Sequence, residues 1–180
     1  MMLSRLLLLV SILLFCACTN VQAPVPVYNN GQWPLLSGGF EDGDHLNDGF
    51  ASRFGSGSKR ADLYFFGQLR SNWDVGIDDP ELVDKYKAAL EELKTLEQRG
   101  RYKNVKFNPV QQTEIAGVPF RVISLNYVRE GVAYDSITYM TALAARIIKI
   151  RFTDTPVAGS DLDSASRVFM ERFFRGMARR

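Results

Sequence analysis

The spacing of apolar residues changes at Gly100, and this change restricts the chain to a fold that combines helices with a sheet. Before Gly100, apolar residues from Leu82 to Leu96 recur at the three- and four-residue intervals of one helical face. After it, apolar and polar residues alternate through most of the stretch to Thr153, as they do in strands with one buried face. Short turns join these strands, so the pattern predicts an antiparallel sheet and the α+β class.

Two helices and about six strands are expected, in the order β-β-α-β-β-β-β-α. The first helix begins at Asp78-Asp79-Pro80-Glu81, which combines a capping carboxylate with a proline in the first turn, and it ends near Arg99. The second begins at Ser160 with Asp163 and carries an apolar stripe. A hairpin precedes the first helix, and five candidate strand segments follow that helix, one more than the four in this order: 102–107, 112–115, 119–128, 132–143 and 146–153.

The turn around Gly131 joins the two longest strands, and a symmetric pairing about it divides their side chains between two faces. One face is predicted to be the core; its members are Ile123, Leu125, Tyr127, Ile137, Tyr139, Ile148, Ile150 and Phe152. The other is predicted to be a polar surface of Ser124, Asn126, Tyr134, Ser136, Thr138, Lys149 and Arg151. Cations and hydroxyls beside an aromatic ring suit an anionic or sugar-like group, so Tyr134, Ser136, Lys149 and Arg151 are the candidate binding residues. An ordinary solvated sheet face would have the same composition.

Catalytic and metal-binding patterns are weak in this sequence. The single histidine, His45, lies in the acidic stretch 41–48, which lacks the ligand spacing of an EF-hand loop. No nucleophile turn of the G-x-S-x-G kind is present. We therefore expect no catalytic residues, no metal and no cofactor. The alternative is an envelope hydrolase that uses Asp135 or the carboxylates of 41–48, or a small-ligand carrier that uses the polar face.

The first 18 residues have the pattern of an export signal that ends at a cysteine. Arg5 precedes the apolar run Leu6 to Cys16, which is too short to span a bilayer, and Ala17 stands just before Cys18. The segment Phe15-Cys16-Ala17-Cys18 resembles a bacterial lipobox. The resemblance implies removal of residues 1–17 and lipidation of Cys18, followed by a flexible, proline-containing tether over 18–37 and a single domain over 38–180.

Composition excludes several other classes of protein. The length of 180 residues suits one domain, and a net charge of +2 argues against a dedicated nucleic-acid binder. Both cysteines, Cys16 and Cys18, lie at the end of the export signal, so no disulfide or cysteine-zinc site is expected in the folded domain. Stability must therefore come from packing.

Several segments after residue 98 are similar to those of a group of uncharacterised bacterial lipoproteins. They are Arg99 to Val105, Gly117-Val-Pro-Phe120, the turn at Gly131, Asp135-Ser136 with Tyr139, and Lys149 to Thr153. The layout resembles the PsbP-like α/β sandwich, which is found in photosystem II extrinsic subunits and other accessory proteins. The resemblance implies a fold and no catalytic residues. We expect a non-enzymatic accessory or binding module, anchored by lipid in the cell envelope, on the periplasmic side of the outer membrane if the cell has two membranes. Its partner would be an envelope protein or cell-wall component.

Overall fold

The computed structural model describes residues 33, 35–38, 48–56, 58–66, 76–109, 111–143, 146–156 and 161–178. These residues form eight strands and two helices. The strands are β1 (Leu35–Gly38), β2 (Asp48–Ser56), β3 (Lys59–Phe66), β4 (Lys103–Phe107), β5 (Gln111–Ile115), β6 (Val118–Arg129), β7 (Val132–Leu143) and β8 (Arg146–Asp154). The helices are α1 (Pro80–Gln98) and α2 (Leu162–Ala178). The α+β class is confirmed, and the expected count of about six strands is too low for the described residues.

All eight strands belong to one antiparallel sheet with the order β1-β2-β3-β8-β7-β6-β4. The short strand β5 also pairs with β6. It pairs with the first half of β6, whereas β4 pairs with the second half. Pro109 lies between β4 and β5, where it cannot donate a ladder hydrogen bond and so separates the two. The long hairpins β6–β7 and β7–β8 form the centre of the sheet.

The folded domain includes residues that the sequence assigned to the end of the tether, so the predicted boundary between 37 and 38 is wrong. Leu35–Gly38 pairs with β2, and the side chain of Trp33 is 1% exposed. Its indole contacts Phe152 and Phe169 edge to face. The neighbouring prolines exclude a helix but permit a short edge strand, and burial of the large indole holds the segment against the domain. The predicted signal, Cys18 and the rest of 18–37 lie outside the described residues.

The β6–β7 turn has two residues, and this length corrects the predicted division of the sheet faces. Arg129 pairs with Val132, and Glu130 and Gly131 have φ angles of 53° and 81°, as a type I′ turn requires. The symmetric pairing expected from the sequence differs from this by one residue, and a slip of one residue moves a whole strand's side chains to the opposite face. The prediction that Ile123, Leu125 and Tyr127 share a face with Ile137, Tyr139, Ile148, Ile150 and Phe152 is therefore wrong; they face the other side of the sheet.

Each face of the sheet is covered by a helix, which gives two hydrophobic cores. The α1 core contains Leu82, Tyr86, Leu93, Tyr102, Ile123, Leu125, Tyr127, Met140, Ala142 and Ile147. The α2 core is the larger and contains Trp33, Phe54, Phe120, Tyr139, Phe152, Phe169, Phe173 and Phe174 among others. The carboxylate of Asp79 accepts from the amides of Glu81 and Leu82 at the start of α1, and Asp161 accepts from Ser164 at the start of α2. Both helices are therefore capped by aspartates.

Candidate functional site

The sheet face on the α1 side carries a group of polar and aromatic residues that we call the arginine–tyrosine cluster. Its members come from β2, β3, β6, β7, β8 and the residue before β4; they are Arg53, Arg60, Asp62, Tyr64, Tyr102, Tyr127, Tyr134, Ser136, Lys149 and Arg151. Register brings them together, because residues paired across an antiparallel ladder point to the same face. Asp62 is opposite Arg151 and Tyr64 is opposite Lys149 on β3 and β8.

Arg151 lies at the centre of this cluster and bonds to three hydroxyl groups. Its Nε donates to Ser136 Oγ at 3.2 Å, and its Nη2 donates to the hydroxyls of Tyr102 and Tyr127 at 3.4 and 3.3 Å. Burial lowers the pKa of Arg151. The hydrogen bond to Tyr102 and the neighbouring phenol oxygens raise it by more, so the net effect is a raised pKa. Arg151 therefore stays charged, and these neutral partners fix its plane.

The carboxylate of Asp62 is already shared by two other arginines. Asp62 Oδ1 is 2.6 Å from Arg53 Nε, and its Oδ2 is 3.0 Å from Arg60 Nε. The side chain of Asp62 is 3% exposed, whereas those of Arg53 and Arg60 are 40% and 44% exposed. The two arginines thus form an accessible rim at the edge of the cluster, held in place by a buried carboxylate.

Lys149 contributes a second half-buried cation next to Arg151. Its Nζ lies 5.3 Å from the ring centre of Tyr64 and 6.0 Å from that of Phe66, within the range of cation–π attraction. Burial lowers the pKa of Lys149, Glu92 on α1 opposes that shift, and Arg151 adds to it. Among the described residues, no carboxylate lies within ion-pair distance of Lys149 or Arg151.

Three tyrosines form a stack along one side of Arg151. The rings of Tyr102 and Tyr127 are 4.2 Å apart, and those of Tyr127 and Tyr134 are 5.4 Å apart, with nearly parallel planes. Tyr102 and Tyr127 are buried, while Tyr134 at the end of the stack is half-buried. Burial raises the pKa of Tyr127, and Arg151 works against that shift, so the phenol stays protonated at neutral pH and offers Arg151 a neutral oxygen.

A groove of about 590 Å³ opens next to this stack. It lies between the end of α1, the start of β4 and the β6–β7 turn, and it is lined by Leu96, Gly100, Arg101, Tyr102, Lys103, Val128, Arg129, Glu130 and Gly131. Tyr102 belongs to both the groove and the cluster, because its hydroxyl accepts from Arg151. The groove and the cluster therefore adjoin at Tyr102.

The structure brings together the four residues that the sequence proposed for binding, but not on an open face. Tyr134, Lys149 and Arg151 are half-buried and Ser136 is buried on the face that α1 partly covers. The expected exposed sheet face is therefore wrong. Thr138 lies on that same face, whereas Ser124 and Asn126 lie on the opposite one.

Asp135, which the sequence proposed for an alternative hydrolase, does not join the cluster. Asp135 lies on the α2 side of the sheet, where its Oδ1 accepts from the side-chain amide of Asn126. His45 and residues 41–47 lie outside the described residues, as does Cys18. No group of three or more histidine, cysteine, aspartate or glutamate side chains suited to a metal occurs within the described ranges.

Arg53, Arg60, Asp62, Tyr64, Tyr102 and Tyr127 were not predicted as site residues. In β3 the signal was present, because polar or aromatic residues at 60, 62 and 64 alternate with Ala61, Leu63 and Phe65. The pairing of β3 with β8, which places that polar side against Lys149 and Arg151, joins segments more than 80 residues apart in the sequence. No local pattern indicates such a partner.

Comparisons with known proteins add little to this description. No family model matches the chain, and no curated protein matches it either. A solved structure of a Pseudomonas aeruginosa protein of unknown function, PA94, is similar at 15% identity and a TM-score of 0.41. The match covers 64% of this chain and 74% of that one. Neither helix in the described part of the chain is long and apolar enough to cross a membrane.

Proposed function

We propose that this protein is a lipid-anchored, non-enzymatic accessory module that binds a component of the bacterial cell envelope through the arginine–tyrosine cluster. The observation that carries the proposal is the charge of the cluster. Its described side chains include the cations Arg53, Arg60, Lys149 and Arg151 against the single carboxylate of Asp62. A partly exposed surplus of positive charge beside aromatic rings is typical of a site that takes an anionic partner.

The anchor and the PsbP-like fold are parts of the same proposal. The lipobox-like segment ending at Cys18 supports attachment of the domain to a membrane, with the outer membrane as the expected location in a cell that has two. The helix–sheet–helix layering of α1, the sheet and α2 supports the PsbP-like assignment. An accessory role suits a fold of that kind. The groove beside Tyr102 favours a small-ligand carrier as the second candidate.

Crosslinking in intact cells tests the binding face. The full chain carries a photoreactive amino acid either at Ser58, which is exposed in the β2–β3 turn two residues before Arg60, or at Glu171, which is exposed on α2 on the opposite side of the sheet. We expect one dominant adduct from position 58 and none from position 171. Equal adducts from both positions, or an adduct from 171 alone, would contradict the proposed face.

The Cys18→Ser variant tests the anchor separately. Without the thiol no lipid can be attached, so we expect the protein to move from the membrane fraction to the soluble fraction. Mass spectrometry of the unaltered protein should find an acylated Cys18 at its amino terminus. A variant that still needs detergent for extraction would show that the attachment has another origin.

A further inference from the structure

We infer that the arginine–tyrosine cluster is a binding site for a phosphate ester, with Arg151 and Lys149 at its base and Arg53 and Arg60 at its rim. The inference rests on the proposed function, because it names the chemical class of the partner that the cluster would bind. It is argued from charge balance, from the positions of the hydrogen-bond donors and from the half-buried ring of Tyr134.

The first argument is that two half-buried cations, Lys149 and Arg151, have no counterion among the described residues. Asp62 is the carboxylate nearest in the sheet register, and both of its oxygens are engaged by Arg53 and Arg60. Within the described residues, Arg151 has only hydroxyl partners and Lys149 has only aromatic rings. Removing a charge from water without an opposite charge nearby is costly, so an anion entering this cluster gains more than it would on the open surface.

The second argument is the amount of charge. Among the described side chains of the cluster, four cations and one carboxylate leave a surplus that a single further carboxylate would only partly neutralise. Glu92 on α1 adds one negative charge, which acts on Lys149 from beyond ion-pair distance. A phosphate monoester carries about −1.5 to −2 at pH 7 and three acceptor oxygens, which matches the surplus and the number of donors better.

The third argument is that the donors are held in position before any ligand arrives. Ser136, Tyr102 and Tyr127 fix the Nε and Nη2 edges of the Arg151 guanidinium, whereas its Nη1 bonds to none of the described residues. Asp62 holds both rim arginines by their Nε atoms. A donor set fixed in this way loses little side-chain entropy on binding.

The stack ending in Tyr134 favours an ester over free phosphate. Tyr134 is half-buried at the end of the stack and stacks on Tyr127, whose hydroxyl accepts from Arg151. An amphipathic ring next to a phosphate site suits the carbon skeleton of a sugar or glycerol unit. A sugar phosphate and the headgroup of an anionic lipid share this chemistry, and the experiment separates them.

Calorimetric titration of the full chain at constant ionic strength tests the inference, with inorganic phosphate, glucose 1-phosphate and glucuronate as probes. We expect glucose 1-phosphate to bind at one saturable site and more tightly than either other probe. Lys149→Gln and Arg60→Gln should each weaken it by about tenfold, as expected for loss of one charge-assisted hydrogen bond. Lys94→Gln removes the same charge from the exposed face of α1 and should change the affinity by less than twofold.

Vesicles of phosphatidylcholine with or without phosphatidic acid form the second arm. If glucose 1-phosphate binds and both site variants weaken that binding, the ligand is a soluble phosphate ester. If only phosphatidic acid vesicles bind, and both variants weaken that binding, the ligand is a lipid headgroup. Either result supports the site. The inference is overturned if neither the soluble phosphate probes nor the phosphatidic acid vesicles bind saturably, if glucuronate binds saturably and as tightly as glucose 1-phosphate, or if Lys94→Gln weakens binding as much as Lys149→Gln.

The two proposals fail in different ways. A specific adduct at position 58 without phosphate binding would keep the binding face and reject the ligand class. Phosphate binding that depends on Lys149, without any adduct at position 58, would keep the site and reject a macromolecular envelope partner at its rim.

Discussion

Lys149→Met should make the protein more stable at neutral pH, because none of the described residues forms an ion pair with the half-buried Lys149, and burying a charge without an ion pair opposes folding. Burial of an ammonium group without a carboxylate costs several kcal/mol. Cation–π attraction to the rings of Tyr64 and Phe66 stabilises the Lys149 charge by about 0.5–2 kcal/mol for each ring. Glu92 lies beyond ion-pair distance and offsets little more.

The net cost of the Lys149 charge is therefore about 1 kcal/mol, and methionine fills a similar volume without it. For a chain of this size, about 1 kcal/mol corresponds to a rise of roughly 2–4 °C in Tm. Urea unfolding at pH 7 measures the change in the free energy of unfolding. Lys94→Met is the matched control; Lys94 is exposed and paired only with Glu91, so its replacement should change stability by less than about 0.5 kcal/mol.

The pH dependence of the stability difference between Lys149→Met and the unaltered protein gives a second check. The folded-state pKa of Lys149 lies below 10.5, so the unfolded chain binds more protons in the interval between the two values. The cost of the charge is fully present below the folded pKa and disappears as the pH rises toward 10.5. The advantage of Lys149→Met should therefore shrink at high pH. A variant that is destabilised at pH 7, or an advantage that grows with pH, would refute the reasoning.

Three further predictions concern the support of the cluster, the start of the domain and the central turn. Asp62→Asn should lower the free energy of unfolding by about 1–3 kcal/mol in urea, because two arginines lose their shared carboxylate; an unchanged value would mean that solvent already screens both pairs. Trp33→Ala should lower the free energy of unfolding by about 3–5 kcal/mol, since the indole is 1% exposed within the α2 core. A decrease of less than about 1 kcal/mol would mean that Trp33 belongs to the predicted tether and not to the folded domain. Glu130→Asn should raise Tm slightly and Gly131→Ala should lower the free energy of unfolding by about 1 kcal/mol, because both positions have positive φ; equal tolerance of both changes would argue against the two-residue turn.

Local patterns were sufficient to predict most elements of this fold, although not β1. The apolar spacing in α1 and the alternation in β6, β7 and β8 placed these elements within a few residues of their observed bounds. The capping signal at Asp78-Asp79-Pro80 was also correct, with Asp79 as the residue that accepts from the first amides. These features depend on neighbours in sequence, which is why the sequence alone predicts them.

Features that depend on register or on distant partners were predicted less well. A turn centred on Gly131 can contain two or three residues, and only the observed pairing of Arg129 with Val132 decides between them. That one-residue difference moved Ile123, Leu125 and Tyr127 to the α1 side, where Tyr127 bonds to Arg151. Likewise, Arg53 and Arg60 join the cluster only because β3 pairs with β8.

The most direct test of the account is the position of a tetrahedral dianion in crystals of the protein grown with selenate, located by the anomalous scattering of selenium. We predict a selenium site whose oxygens lie within hydrogen-bond distance of Arg151 and Lys149, and we predict that Lys149→Gln removes it. Selenium found only at other positions, or a site at the cluster that persists at full occupancy in Lys149→Gln, would contradict the assignment of this face as an anion-binding site.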